Sequence, residues 1–282
     1  MKFLSFRHQG QDSYGAVAGD SVIDLGRKLA KRYPSLRAAL AGLGLAKLKE
    51  VAKTTKPSIA LSKVRFLPVI PDARKIVCVG LNYREHRAET GRPDTEHPTL
   101  FMRFADSQIG HRQPMLKPKQ SDRFDWEGEL AVIIGRGGRR IAKEKAMGHV
   151  GGYACYHDGS VRDWQRHTSQ FTPGKNFPAT GPFGPWMVTA DELKDIGSQT
   201  LTTRINGVVK QQATIDMMIF GIPELIQYIS AFTPLAPGDV IVTGTPGGVG
   251  AARNPPEFMK VGDVAEVEIT GIGVLSNPVK EG

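Results

Sequence analysis

The chain is poor in cysteine and has no long apolar run. Only Cys78 and Cys155 occur in 282 residues, both in apolar surroundings and without CxxC spacing. That excludes a disulfide framework and leaves two buried thiols in a reducing cytoplasm as the expectation. No stretch approaches the ~20 apolar residues of a membrane span. The segment Met1 to His8 lacks the apolar core of a signal peptide and reads as a first strand. Helix-turn-helix, zinc-finger and RNP patterns are missing, as are internal repeats and low-complexity tracts. What is present in excess is positive charge, with a net +9 and a pI near 9.6. It is scattered, densest at Arg136 to Lys145 and Arg84 to Arg92. A nucleic-acid binder concentrates such charge in a stripe, so no nucleic-acid partner and no membrane partner is expected. A scattered basic surface suits the steering of a small anionic substrate.

Residues 1–66 read as a small N-terminal α/β domain. Short strands are expected at Phe3 to Arg7, Tyr14 to Val17 and Ser21 to Asp24, and helical spacing at Leu25 to Tyr33 and Leu36 to Val51. A polar connector at Lys56 to Arg65 places the boundary near 66. Residues 67–282 are strand-rich and punctuated by Gly and Pro. Strands are expected at Lys75 to Gly80, Glu127 to Gly135, Val150 to His157, Trp186 to Val188, Thr202 to Ile205, Val240 to Thr243 and Val264 to Ile269. Helices are expected at Asp158 to His167 and Ile222 to Phe232, and Asn206-Gly207 signals a hairpin. The class is α+β, mostly β, with a closed or rolled sheet rather than a βαβ ladder.

The chemistry concentrates in a few segments. Glu127 and Glu129 stand two apart at the start of a β-branched run, so both side chains leave the same face of a strand. Two like charges so placed call for a compensating cation, and oxygen ligands suit Mg²⁺, Mn²⁺ or Ca²⁺. Asp158 ends another apolar strand and is a third carboxylate, either a ligand or a helix N-cap. Asp163 reads as an ion-pair partner of Arg162 or Arg166. His86 and Glu89 are three apart, on one face of a helical turn, where a carboxylate orients an imidazole as a general base. Lys175 sits in a rigid Pro/Gly loop. Thr243 to Gly250 is glycine-rich but lacks the Lys-Ser/Thr ending of a P-loop, and reads as a loop whose amides and Thr245 hydroxyl hold a carboxylate. The polar stretch 84–97, with Gly91-Arg92-Pro93, reads as a lid.

In this order the segments resemble the fumarylacetoacetate hydrolase family. The matching motifs are Asn82-Tyr83-x-x-His86-x-x-Glu89, Glu127-x-Glu129 with its apolar run, and Gly152-Tyr153 leading to Asp158-x-x-x-Arg162-Asp163. They continue through Lys175, Gly184-Pro-Trp186, Asn206-Gly207 with Gln211, Pro237-Gly-Asp-Val-Ile and Thr243 to Gly250, covering about residues 67–280. The resemblance implies a mixed β-roll catalytic domain, often homodimeric, with Mg²⁺ or Mn²⁺ on Glu127, Glu129 and Asp158. It implies His86 and Glu89 as the water-activating pair and Lys175 as a catalytic cation. Tyr83, Arg103, Gln211 and Thr245 would touch the substrate. Three departures bear on substrate preference: His157 where members carry Asn, Gly159-Ser160-Val161 for Val-Thr-Ala, and Pro178 for an Asp. The activity implied is metal-dependent hydrolysis of a C–C bond in an acylpyruvate-like 1,3-diketo acid. The alternative is decarboxylation, tautomerisation or isomerisation of a 2-oxo diacid such as oxaloacetate or a hydroxymuconate.

Overall fold

The apolar run after Glu129 becomes the strand Gly128–Ile134, and every residue of it is buried. A strand covered on both faces reads as a continuous hydrophobic run rather than an alternating one. Its side chains divide between two cores. Ala131 and Ile133 join one cluster and Leu130, Val132 and Ile134 the other. Each fully buried aliphatic side chain contributes roughly 1.5–3 kcal/mol of transfer free energy.

A computed structural model describes residues 1–91 and 93–282. Its largest sheet has twelve strands and is mixed. Along its main path lie Ile59–Ala60, Ser21–Asp24, Gln11–Ala18, Lys2–His8, Gly181–Thr189, Val150–His157, Gly128–Ile134, Val240–Val242, Ile76–Gly80 and Thr99–Arg103. A second sheet of five strands runs Val208–Thr214, Thr200–Ile205, Val264–Ile269, Gly273–Glu281 and Met115–Lys117. Leu201, Val267, Ile269 and Leu275 of this sheet fill one core together with Leu225, Ile226 and Ile229 of the helix Ile222–Phe232. The other face of the large sheet carries the helices Leu36–Gly42 and Leu45–Lys53. The single helix expected over 36–51 is thus two, interrupted at Leu43 and Gly44. Ser35 caps the first by accepting from Ala38 N–H at 3.1 Å.

The first 66 residues share this sheet. Lys2–His8 pairs antiparallel with Gly181–Thr189, and Phe3, Tyr14, Leu36 and Leu48 lie in one cluster with Ile76, Ala131 and Val242. Most strands appear where the alternation placed them, Val150–His157 and Val264–Ile269 with their expected bounds. The helix expected over Asp158 to His167 is confined to Arg162–Gln165, because Ser160–Val161 pairs as a short strand with Phe124–Asp125. Among the described residues no helix is long and apolar enough to cross a membrane.

Candidate active site

Antiparallel register assembles the acidic cluster. Gly128 faces His157 and Glu129 faces Tyr156 across the central pair, and Asp158 N–H donates to Glu127 O at 2.8 Å. Glu127, Glu129 and Asp158 are all buried, and each offers one oxygen such that these atoms lie within 4.8 Å of one another. The residue between the two glutamates has to be glycine. A Cβ on Gly128 would lie 2.0 Å from Thr203 Oγ1 of the second sheet.

Three buried cations surround four buried carboxylates. Lys175 Nζ donates to Glu127 Oε2 at 2.6 Å, Asp158 Oδ2 at 2.5 Å and Ser160 Oγ at 2.6 Å. Arg162 bridges Glu127 Oε1 at 2.6 Å and Asp125 Oδ2 at 2.7 Å. Arg103 holds Asp158 Oδ1 at 2.5 Å and Thr180 Oγ1 at 2.7 Å. Burial opposes the charge on Glu127, but Arg162 and Lys175 outweigh it and hold this carboxyl well below its usual value. Glu129 has no such partner and accepts from Gly244 N–H at 2.6 Å. Burial first, then Asp158 and Glu127, push its carboxyl well above the usual range. A hard divalent cation fits this donor set: three converging carboxylate oxygens, one of them without a counter-charge.

The helix Arg84–Glu89 brings the second group. His86 Nδ1 lies 2.7 Å from Glu89 Oε1, and Glu89 Oε2 accepts from Gly248 N–H at 2.8 Å. A carboxylate only accepts, so Nδ1 carries the proton and Nε2 is left as the basic nitrogen. His86, Glu89, Glu127, Glu129, Lys175 and Thr245 line one cavity of about 670 Å³. The stretch expected as a lid stands over it, with Thr90, Pro93 and Thr95 in its wall. Arg87 ties that stretch down, donating to Leu81 O at 3.0 Å and Asp94 Oδ1 at 3.0 Å, and His97 stacks on Tyr228. Arg92 of the same stretch lies outside the described residues.

The glycine-rich loop does hold carboxylates, and they are the protein's own. Gly244 N–H serves Glu129, Gly248 N–H serves Glu89, and the N–H groups of Gly250 and Ala251 serve Asp125. Three residues expected at the substrate stand back from the cavity. Arg103 lies behind Asp158. Gln211 spends its amide on Thr245 Oγ1, Pro246 O and Gly128 N–H. The Tyr83 hydroxyl is buried without a partner. Asp163 accepts from Ser121 Oγ rather than from Arg162 or Arg166. Arg162 and Arg166, read from the sequence only as partners of Asp163, line the cavity together with Gln165. Gln165 and Arg166 follow Arg162 by three and four positions, the separation that brings side chains together on a helical turn, and that was the available signal. Of the departures, Ser160 anchors Lys175 and Pro178 is exposed. His157 is buried with neither ring nitrogen bonded, and burial, then Arg103, push its imidazole down to about 3.

Comparison with known proteins gives the family. A family model described as fumarylacetoacetate (FAA) hydrolase C-terminal matches residues 75–280. The chain is 40% identical over 266 residues to the mitochondrial oxaloacetate tautomerase FAHD2A of Bos taurus, covering 93% of this chain and 84% of that one. Fumarylacetoacetate hydrolase from Exiguobacterium antarcticum superposes with a TM-score of 0.86 at 32% identity, over 100% of both chains. Maleylpyruvate hydrolase from Sphingobium sp. SYK-6, solved with manganese(II) and pyruvate, gives 0.82 at 26% identity, again over 100% of both. The chain belongs to the fumarylacetoacetate hydrolase family.

Proposed function

We propose that the protein interconverts the keto and enol forms of a small 2-oxo diacid of the oxaloacetate type. The observation that carries this reading is the His86–Glu89 pair on the wall of the cavity that holds the acidic triad. Glu127, Glu129 and Asp158 would hold one Mg²⁺ or Mn²⁺. When bound, such a cation supplies positive charge that lowers the cost of an enolate. His86 Nε2 takes the proton from the carbon beside the keto group, and Glu89 stabilises the imidazolium so formed. The same nitrogen returns the proton to oxygen or carbon, which completes the exchange in either direction. Lys175 fixes Glu127 and Asp158 relative to each other and adds positive potential where the enolate develops. Arg166 lines the cavity with its guanidinium unpaired among the described residues, and it would pair with the distal carboxylate of a diacid bound there. The similarity to a curated oxaloacetate tautomerase supports this choice among family reactions.

Hydrolysis of an acylpyruvate is the second reading. The cavity volume favours it, since about 670 Å³ exceeds the need of a four-carbon acid. His86 would then deprotonate water. A homodimer and a cytoplasmic setting belong to the same proposal, the first testable by gel filtration.

The deciding experiment follows enol absorbance by stopped flow with Mn²⁺ present. Oxaloacetate ketonisation faster than the uncatalysed rate, with no pyruvate released from acylpyruvates, supports the tautomerase. Pyruvate release from an acylpyruvate with ketonisation at the uncatalysed rate replaces it with the hydrolase.

A further inference from the structure

Glu89 is held on both sides. One oxygen meets His86, and the other accepts from Gly248 N–H. Gly248 has the widest backbone freedom of any residue type, so something must keep that N–H aimed. It stands at φ +99°, and a Cβ there would lie 2.3 Å from Lys210 O. Its carbonyl accepts the Trp126 indole Nε1–H at 3.1 Å, with Arg253 Nη2 a second donor at 3.4 Å. Trp126 is itself fixed. It is 1% exposed, and Lys210 Nζ and the Arg253 guanidinium lie 5.5 and 5.6 Å from its ring. It does not line the cavity of the acidic triad; it borders a separate cavity with Phe258 and Met259.

We propose that Trp126 is a positioning residue for the His86–Glu89 pair, acting through the backbone of Gly248. The proposal rests on the reading of that pair as the proton-transfer group. The indole N–H fixes the Gly248 carbonyl, the fixed residue presents its N–H to Glu89, and Glu89 keeps His86 Nδ1 engaged. Removing the indole donor frees the most flexible link in this chain. Glu89 then rotates away from the imidazole for part of the time, and Nε2 loses both basicity and aim.

The test uses Trp126→Phe, which keeps an aromatic ring and deletes the donor. One neutral hydrogen bond is worth about fivefold, so kcat should fall roughly 5- to 10-fold. KM and Mn²⁺ affinity should stay within about twofold, because the indole lies outside the cavity that Glu127 and Glu129 line. In a Glu89→Gln background the same change should cost less than about twofold, since the group it acts through is already disabled. Equal losses in both backgrounds overturn the proposal. A second arm needs no turnover and stands even if the reaction is another one. The three tryptophans, Trp126, Trp164 and Trp186, give three indole N–H signals in a protein with ¹⁵N-labelled tryptophan. Glu89→Gln should shift the Trp126 signal and speed its hydrogen exchange while Trp186, bonded to Ile272 O, stays unchanged. An unmoved Trp126 signal overturns the proposal without reference to activity.

Discussion

Glu129→Gln should raise the stability of the metal-free protein and abolish its response to divalent cations. Three buried cations face four buried carboxylates, and Glu129 is the one with only a backbone donor. Its ligand oxygen lies within 4.8 Å of those of Glu127 and Asp158. Two unit charges at that separation repel by roughly 3.5 kcal/mol at an effective dielectric of about 20. Lys175 and Arg162 already offset much of the charge on the other two, so the expected gain is on the order of 1–3 kcal/mol. Glutamine keeps an oxygen for the Gly244 N–H and nearly the same volume. The melting midpoint should rise about 2–4 °C per kcal/mol for a chain of this size. Wild type behaves in the opposite way. A cation at a hundred times its Kd stabilises it by about 2.7 kcal/mol, which the variant cannot gain. Thermal melts followed by circular dichroism, in chelator and in excess Mn²⁺, measure both effects. A variant that melts below wild type in chelator, or that still shifts with Mn²⁺, refutes the placement of Glu129 as an uncompensated ligand.

His86→Ala should lower turnover by ~10²–10⁴ while the Mn²⁺-induced melting shift survives, because the triad is untouched; loss of both in steady-state and melting assays points to a structural role instead. His111 makes stability acid-sensitive. Burial, then Arg112, lower its pKa from 6.5 to about 4, and its Nδ1 accepts from Ser276 N–H at 3.0 Å. The unfolded chain takes up this proton below 6.5 and the folded one only near 4, so stability is whole above pH 6.5 and falls between those values. The loss is on the order of 3 kcal/mol, and urea titrations at pH 7 and 4.5 should show a shallower fall for His111→Gln. A chain starting at residue 67 should lose cooperative unfolding, since Gly181–Thr189 loses its partner Lys2–His8 and the core loses Phe3, Tyr14, Leu36 and Leu48; a sharp urea transition near that of the full chain marks the first 66 residues as an independent domain.

Local signals carried part of this architecture. Glu127 and Glu129 were readable because strand alternation fixes where i and i+2 point, and His86 with Glu89 because three residues make a helical turn. The convergence of Asp158 on them was not readable from spacing. It depends on which residues face each other across two strands, and only the family resemblance supplied it. Arg103 and Gln211 lie close to the site in the chain path, yet the sequence does not say which way a side chain turns. Arg103 turns to the back of Asp158 and Gln211 to Thr245. Arg162 reads locally as a partner of its neighbour Asp163, whereas its actual partners, Asp125 and Glu127, are 37 and 35 positions away.

The loop Thr243 to Ala251 grips Glu129, Glu89 and Asp125 with peptide N–H groups alone. Substitution scanning deletes side chains, and a peptide donor survives any replacement except proline. An alanine scan of this segment would therefore keep every N–H but displace those of Gly244, Gly248 and Gly250, where a Cβ would lie 2.7, 2.3 and 2.0 Å from its nearest neighbour. What the N–H contacts themselves contribute to the triad and the proton-transfer pair would stay hidden behind those clashes. Exchanging single peptide bonds for esters by semisynthesis reaches them, because an ester removes one N–H and keeps the side chain.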